Sequence, residues 1–137
     1  MQRFAILIIL LTSTIPIFGQ NLSPYKILIV TAHPDDETGF AATVYKVTKE
    51  MKGIADQCVI TNGEGGYKYS TLSEAYYGLE LTDEKTGRQN LPRIRKQEVM
   101  NAGKIIGMRN IFFLDQKDAH YGLDEHEPLD TTWNVSL

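Results

Sequence analysis

The sequence predicts a Rossmann-like α/β fold with a doubly wound, mostly parallel sheet. Three apolar runs rich in β-branched residues, at residues 25–31, 55–61 and 111–114, have the length and content of strands. Two segments with helical periodicity separate them, at residues 38–51 and 92–106. Strands that alternate with helices favour parallel pairing through right-handed crossovers.

The first strand and the first helix follow from two different hydrophobic patterns. Residues 25–31 are apolar without alternation, which predicts a strand buried on both faces. After a polar turn, apolar residues recur at helical spacing until Gly53 ends the helix. The residues expected on its buried face are Phe40, Ala41, Val44, Tyr45 and Val47.

The second half of the chain predicts a long loop, another helix and the third strand. Residues 67–91 show little periodicity, and a loop of that length in a compact domain is usually functional. Pro92 and Gly107 are typical of the first and last positions of a helix. The residues expected on its buried face are Ile94, Val99, Ala102, Ile105 and Ile106.

Three strands make a thin sheet, and the chain ends at Leu137 without a closing helix. We therefore expect a truncated fold, with residues 21–137 forming the N-terminal portion of a larger domain.

Composition limits the classes of function. With 137 residues the chain suits one domain, and 42% hydrophobic with 23% charged residues is typical of a globular protein. A formal net charge of −3 without a basic cluster argues against nucleic acid as a partner. The single cysteine, Cys58, lies in a predicted strand, where a small buried side chain is favoured over a nucleophile or metal ligand.

Residues 1–20 are typical of a secretory signal peptide. Arg3 precedes the apolar run of residues 4–11, and a small, polar region follows up to Gln20. The apolar run is short for a spanning helix, and Pro16 interrupts the segment. We expect an exported protein, periplasmic or extracellular, with no membrane span after cleavage; an N-terminal anchor or a buried helix is the alternative.

The polar turn after the first strand carries the strongest functional signal. Residues 32–37, Ala-His-Pro-Asp-Asp-Glu, place one imidazole and three carboxylates at a strand tip, where open α/β sheets build their sites. His33 and Asp36 can converge on one metal ion because Pro34 restricts the turn between them. Asp35 then points elsewhere and can accept a proton from a zinc-activated water.

A simpler interpretation of this turn is local. The carboxylates of Asp35 and Asp36 could cap the following helix while His33 is a loop residue. Glu37 could either orient His33 or stabilise the first helical turn. The strand-tip position, the proline and the full run of six residues favour the metal site.

Several motifs resemble those of the PIG-L/LmbE-like family of zinc-dependent N-acetylglucosaminyl deacetylases. The first is the run of residues 32–37 behind a hydrophobic strand. The others are the glycine-rich turn of residues 61–66, the Arg-x-x-Glu of Arg95 and Glu98, and Phe113-Leu114 followed by Asp118. The resemblance covers about residues 25–122.

The resemblance implies a set of roles. His33 and Asp36 would be ligands of Zn²⁺, and Asp35 would be the catalytic general base. Arg95 and Asp118 would bind substrate, Arg95 through anionic or hydroxyl groups and Asp118 through sugar hydroxyls. The family takes its third zinc ligand from a later histidine motif, which we expect beyond Leu137.

The remaining histidines do not supply that motif. Neither His120 nor His126 lies in a His-x-x-His context, so we expect surface residues or a makeshift ligand. A site with two protein ligands should bind zinc weakly.

Two functions remain open after these observations. The first is hydrolysis of the N-acetyl group of a small amino-sugar conjugate. The second is a catalytically inactive carbohydrate-binding or accessory domain of the same fold. A nucleotide-binding domain is disfavoured because the glycines at 63, 65 and 66 follow the second strand and lack the G-x-G-x-x-G spacing.

Overall fold

The computed structural model describes residues 25–119, 122–124, 126 and 128–132. The predicted signal peptide and His120 lie outside these residues. The three strands are β1 (Lys26–Thr31), β2 (Ile54–Thr61) and β3 (Asn110–Gln116), and the three α-helices are α1 (Ala41–Tyr45), α2 (Thr71–Tyr77) and α3 (Glu84–Ile106). Short 3₁₀ helices at Asp36–Phe40 and Glu64–Tyr69, and π-helical turns at Lys46–Glu50 and Pro128–Thr132, complete the described elements.

The described strands form one parallel sheet in the order β1-β2-β3. Val30 is level with Cys58, and Cys58 is level with Phe112. The pairing of β2 with β3 shifts register between Val59 and Thr61. Parallel pairing confirms the predicted α/β class, and it places the carboxyl ends of all three strands at one edge.

One face of the sheet packs against the helices. In β2, every second residue from Ala55 to Thr61 is buried. Gly103 of α3 lies so close to Ile111 of β3 that an added Cβ would come within 2.5 Å of its Cδ1. Tyr67, Leu81, Leu91 and Ile94 form a buried cluster beside this layer.

The other face of the sheet is open in the described structure. Leu28 and Val30 of β1, and Phe112 and Leu114 of β3, are each more than half exposed. The prediction that the first strand is buried on both faces is therefore wrong for the described residues, because no described element packs on this side. Cys58 shares this face with Val30 and Phe112, and it is partly exposed rather than buried.

The predicted long loop of residues 67–91 is mostly helical. It contains the end of a 3₁₀ helix, all of α2 and the first two turns of α3. Helix α3 begins at Glu84 because Asp83 caps it, accepting a hydrogen bond from the Thr86 N–H at 2.9 Å. Pro92 lies inside α3 rather than at its start, whereas Gly107 ends the helix as predicted, with φ of 85°.

The expected buried faces of the helices are only partly correct. Val44, Ile94 and Val99 are buried, as predicted. Tyr45 and Ile105 are 47% and 71% exposed, so the predictions for them are wrong. Ile105 lies in the last turn of α3, where the apolar periodicity continues beyond the packed surface. Within the described part of the chain, no helix is long and apolar enough to cross a membrane.

Candidate active site

The turn after β1 is held in shape from inside the protein. The buried Glu37 carboxylate accepts hydrogen bonds through Oε2 from the Asp35 N–H at 3.0 Å and from Gln57 Nε2 at 3.4 Å. Gln57 Nε2 also lies 3.2 Å from the Thr31 hydroxyl. Asp35 has φ of 103°, a left-handed conformation that costs of the order of 1–3 kcal/mol in a non-glycine residue. Glu37 therefore braces the turn, and its carboxylate does not contact His33 in any described hydrogen bond.

His33 and Asp36 face each other across this turn. His33 Nδ1 lies 3.9 Å from Asp36 Oδ2, and the backbone N–H of His33 donates to the same oxygen at 2.9 Å. Two ligand atoms on one tetrahedral zinc lie roughly 3.3–3.6 Å apart, given bonds of about 2.0–2.2 Å. The observed separation is a few tenths of an ångström longer than that, so the two side chains would close slightly to share one ion. Among the described residues no group of three His, Cys, Asp or Glu side chains is arranged to hold a metal.

The other side of the His33 ring faces Asp118. His33 Nε2 lies 3.4 Å from Asp118 Oδ1. Asp118 Oδ2 accepts the backbone N–H of Gly65 at 3.0 Å, and the Asp118 carbonyl accepts Arg88 Nη1 at 3.0 Å. The hydrogen bond that the His33 ring donates to the Asp118 carboxylate raises the pKa of His33 above its ordinary value, and partial burial of the ring opposes this rise.

Arg95 reaches the turn from α3. Its Nη2 donates to the Pro34 carbonyl and to Asp35 Oδ2, both at 2.5 Å, and its Nε lies 3.8 Å from Glu98 Oε2. These contacts fix the Asp35 side chain relative to the helix. Asp35 itself remains largely exposed toward the cavity.

Four of these residues, His33, Asp35, Arg95 and Asp118, line a cavity of about 620 Å³. That volume is within the usual range for a small-molecule site. Its wall comes from the turn after β1, the glycine-rich turn after β2, the start of α2, and the segment after β3. The lining residues include His33, Asp35, Gly63, Gly65, Tyr69, Ser70, Ser73, Arg95 and Asp118.

The structure brings together the five residues expected in the site. His33, Asp35, Arg95 and Asp118 line the cavity, and Asp36 contacts His33 from the turn. The roles assigned to them stay predictions. The structure also shows that Arg95 contacts Asp35 and that Asp118 contacts His33. These contacts were not part of the predicted substrate-binding roles of Arg95 and Asp118. His126 is not among the lining residues, and its N–H donates to Asp124 Oδ1.

Sequence reasoning missed the contribution of the segment before and within α2. Tyr69, Ser70 and Ser73 line the cavity, although the segment was expected to be a loop. The available signal was the Ser70-Thr71 pair ahead of a short run with helical character, ended by Gly78. This part of the segment therefore contributes to the cavity wall.

Comparison with known proteins gives two findings. The model of the PIG-L family, described as GlcNAc-PI de-N-acetylase, matches residues 28–132. A search of curated proteins gave no match. Among solved structures, N,N'-diacetylchitobiose deacetylase from Pyrococcus horikoshii, complexed with its inhibitor MPG, is similar with a TM-score of 0.52 and 23% identity.

That similarity covers 77% of this chain and 34% of the deacetylase chain. The chain thus spans about a third of the length of this neighbour. At such an identity the likeness concerns the fold, and it agrees with the parallel α/β architecture.

Proposed function

The chain belongs to the PIG-L, GlcNAc-PI de-N-acetylase, family, and from that premise we propose that it acts in a zinc-dependent N-deacetylase. The proposed substrate is a small conjugate of an N-acetylglucosamine-type sugar. The observation that carries the proposal is the turn after β1. It presents a histidine–aspartate pair suited to a metal and a separately held aspartate at one end of a cavity.

The metal in this proposal would be held by His33 and Asp36. Their facing Nδ1 and Oδ2 atoms are a nitrogen and a carboxylate oxygen, the donor types found in catalytic zinc sites. When bound there, zinc supplies Lewis-acid activation of water and of the substrate carbonyl. Asp118 supports the site by contacting His33 Nε2, as carboxylates behind metal-binding histidines commonly do.

Asp35 is the proposed general base. Water attacks the acetamido carbonyl, and Asp35 accepts the proton that the water releases. The carbon–nitrogen bond then breaks, the same proton passes to the departing amine, and the second water proton leaves with acetic acid, which ionises to acetate. Arg95 holds Oδ2 of Asp35, so the other carboxylate oxygen is the one offered to the proton.

A second candidate function is a sugar-binding accessory domain without catalysis. One observation favours it: the described residues provide two candidate metal ligands and no group of three. Stoichiometric zinc in the purified protein would favour the deacetylase, whereas sugar binding without zinc or turnover would favour the accessory domain.

The test separates metal binding from proton transfer. Asp35→Asn should keep zinc and reduce deacetylation of N,N'-diacetylchitobiose by about 10²- to 10⁴-fold, because the general base is lost. Asparagine also tolerates a left-handed backbone, so the turn should persist. Zinc content and acetate release are measured on the full chain.

Asp36→Asn is the matched control. It keeps an oxygen that can accept the His33 N–H, but it removes a charged metal ligand, so zinc affinity should fall. Equal loss of zinc in both variants would contradict the separate roles of the two aspartates.

Export is a further part of the proposal. It rests on the pattern of residues 1–20, which the described residues do not include.

A further inference from the structure

An exposed stripe of side chains, Tyr69, Leu72 and Tyr76, extends from the cavity along α2. Tyr69, Leu72 and Tyr76 are 84%, 92% and 82% exposed. Leu72 and Tyr76 are four residues apart on α2, which places them on one side of that helix, and Tyr69 is the last residue of the 3₁₀ helix that precedes it. Tyr69 lines the cavity, as do Ser70 and Ser73 between the stripe's members. The stripe is therefore continuous with the candidate active site.

The outer tyrosine is held in place although its surface faces solvent. The rings of Tyr76 and Tyr77 meet edge to face, with centroids 4.8 Å apart and planes at 82°. Tyr77 is anchored in turn, since its hydroxyl donates to Glu98 Oε1 on α3 at 3.0 Å. A tyrosine that is already restrained loses little conformational freedom when a ligand binds to its face.

Two charged residues adjacent to the stripe in sequence, Lys68 and Glu74, are engaged elsewhere. The Lys68 ammonium lies 5.8 Å from the centre of the Tyr67 ring. Glu74 Oε1 accepts hydrogen bonds from the backbone and the hydroxyl of Thr82, at 2.8 and 2.6 Å. The stripe thus offers apolar surface and phenol hydroxyls, which suit a neutral ligand better than a phosphate or a carboxylate.

We propose that Tyr69, Leu72 and Tyr76 form a platform for a second pyranose ring, attached to the acetamido sugar that occupies the cavity. This inference rests on the proposed deacetylase function and adds a substrate preference to it. One face of a pyranose presents C–H groups and its rim presents hydroxyls. Tyrosine matches this pattern with an apolar ring and a polar tip, and Ser70 and Ser73 add hydroxyls at the cavity edge.

The test compares ligands that differ only beyond the acetamido sugar. Affinities of the full chain are measured by calorimetry for N-acetylglucosamine, N,N'-diacetylchitobiose and octyl N-acetylglucosaminide. The disaccharide should bind more tightly than the monosaccharide. Tyr76→Ala should weaken the disaccharide about three- to tenfold, the usual size of an aromatic contact, and leave the monosaccharide unchanged.

Three further variants make the result specific. Tyr76→Phe should keep the disaccharide affinity because the ring face remains. Leu72→Ala, at the most exposed position of the stripe, should weaken the disaccharide without affecting folding. Tyr45→Ala on α1 is the matched control, since Tyr45 is an exposed tyrosine outside the cavity wall.

The outcomes distinguish the platform from the function on which it rests. Equal weakening of both sugars by Tyr76→Ala, or no weakening, would overturn the platform while deacetylation continued. A gain of affinity from the octyl chain that Tyr76→Ala removes, without a gain from the second sugar, would overturn it in favour of an apolar tail. If neither sugar bound or lost acetate, the proposed function and the platform would fail together.

Discussion

Gly65 offers a sharp test of how the site is assembled, because its neighbour Gly66 provides a matched control. A Cβ added at Gly65 would lie 1.9 Å from the Ala119 carbonyl oxygen and 2.8 Å from Asp118 Oδ2. The Ala119 oxygen belongs to the backbone and cannot make room by rotating a side chain, so Gly65→Ala must displace the segment after β3. The displaced segment carries Asp118, which contacts His33.

The size of the effect follows from this geometry. Overpacking of a well-packed site typically costs about 1–3 kcal/mol in the free energy of unfolding. In a domain of this length that corresponds to a fall of about 3–10 °C in melting temperature. Loss of a carboxylate behind a metal-binding histidine typically costs about 10- to 100-fold in metal affinity, so zinc binding at the proposed site should weaken within this range.

Gly66→Ala should have neither effect. Among the described residues, no non-neighbouring atom lies within 4 Å of a Cβ added there, and the backbone of Gly66 is not left-handed. The substitution should leave stability unchanged or raise it by up to about 1 kcal/mol, since alanine reduces the freedom of the unfolded chain.

The assay combines urea unfolding with zinc titration against a chromogenic chelator, for the wild-type chain and both alanine variants. Both measurements should separate Gly65→Ala from the other two proteins. Unchanged zinc affinity in Gly65→Ala, with a folded protein, would refute the role assigned to the Asp118–His33 contact. Equal destabilisation by both variants would refute the packing argument.

Two more predictions concern charge and capping. Because the folded-state pKa of His33 is raised, its contact with Asp118 adds stability that is complete below about pH 6.5 and is lost as pH rises through the raised pKa. Asp118→Asn should therefore lower the free energy of unfolding of the metal-free protein more at pH 5.5 than at pH 8.5. The difference between the two pH values should be less than about 1 kcal/mol because His33 is half-exposed. Urea unfolding at both pH values checks this, and an equal loss at each would contradict it. Asp83→Ala should cost about 1 kcal/mol by removing the cap of α3, again measured by urea unfolding, and wild-type stability would show that the Thr86 contact is dispensable.

The strands were predictable from sequence because each is a local apolar run. The predicted ranges 25–31, 55–61 and 111–114 lie close to the observed strands. Which face each strand buries was less predictable. Leu28 and Val30 are as apolar as their neighbours, and only the absence of a described element on their side leaves them exposed.

The start of α3 shows why helix boundaries were misplaced. Proline favours the start of a helix, so the sequence predicts Pro92 at the first position, yet the structure places it in the interior. The Asp83 cap nine residues earlier is a weaker signal in a polar segment. Burial of Leu91 and Ile94 on either side of the proline shows that packing holds the helix through this point.

The site divides into a local part and a part that only folding assembles. His33, Asp35 and Asp36 are adjacent in sequence, so the turn alone indicated their chemistry. The contacts of Arg95 with Asp35 and of Asp118 with His33 join residues that are 60 and 85 positions apart. Hydrophobic periodicity predicts helices and strands, but it does not predict hydrogen bonds between side chains so far apart in the sequence.

The buried hydrogen bonds behind the turn explain why its exposed side can be chemically useful. Glu37 is almost fully buried, and its carboxylate holds the backbone of Asp35 in a conformation that the residue would otherwise avoid. The energetic cost of that conformation is offset on folding by the buried hydrogen bonds of Glu37 and Gln57. His33 and Asp36 are consequently positioned before any ligand arrives, so a ligand that binds them need not order the turn. Arg95 acts in the same way on Asp35 from α3, which makes the orientation of the proposed base a property of the fold.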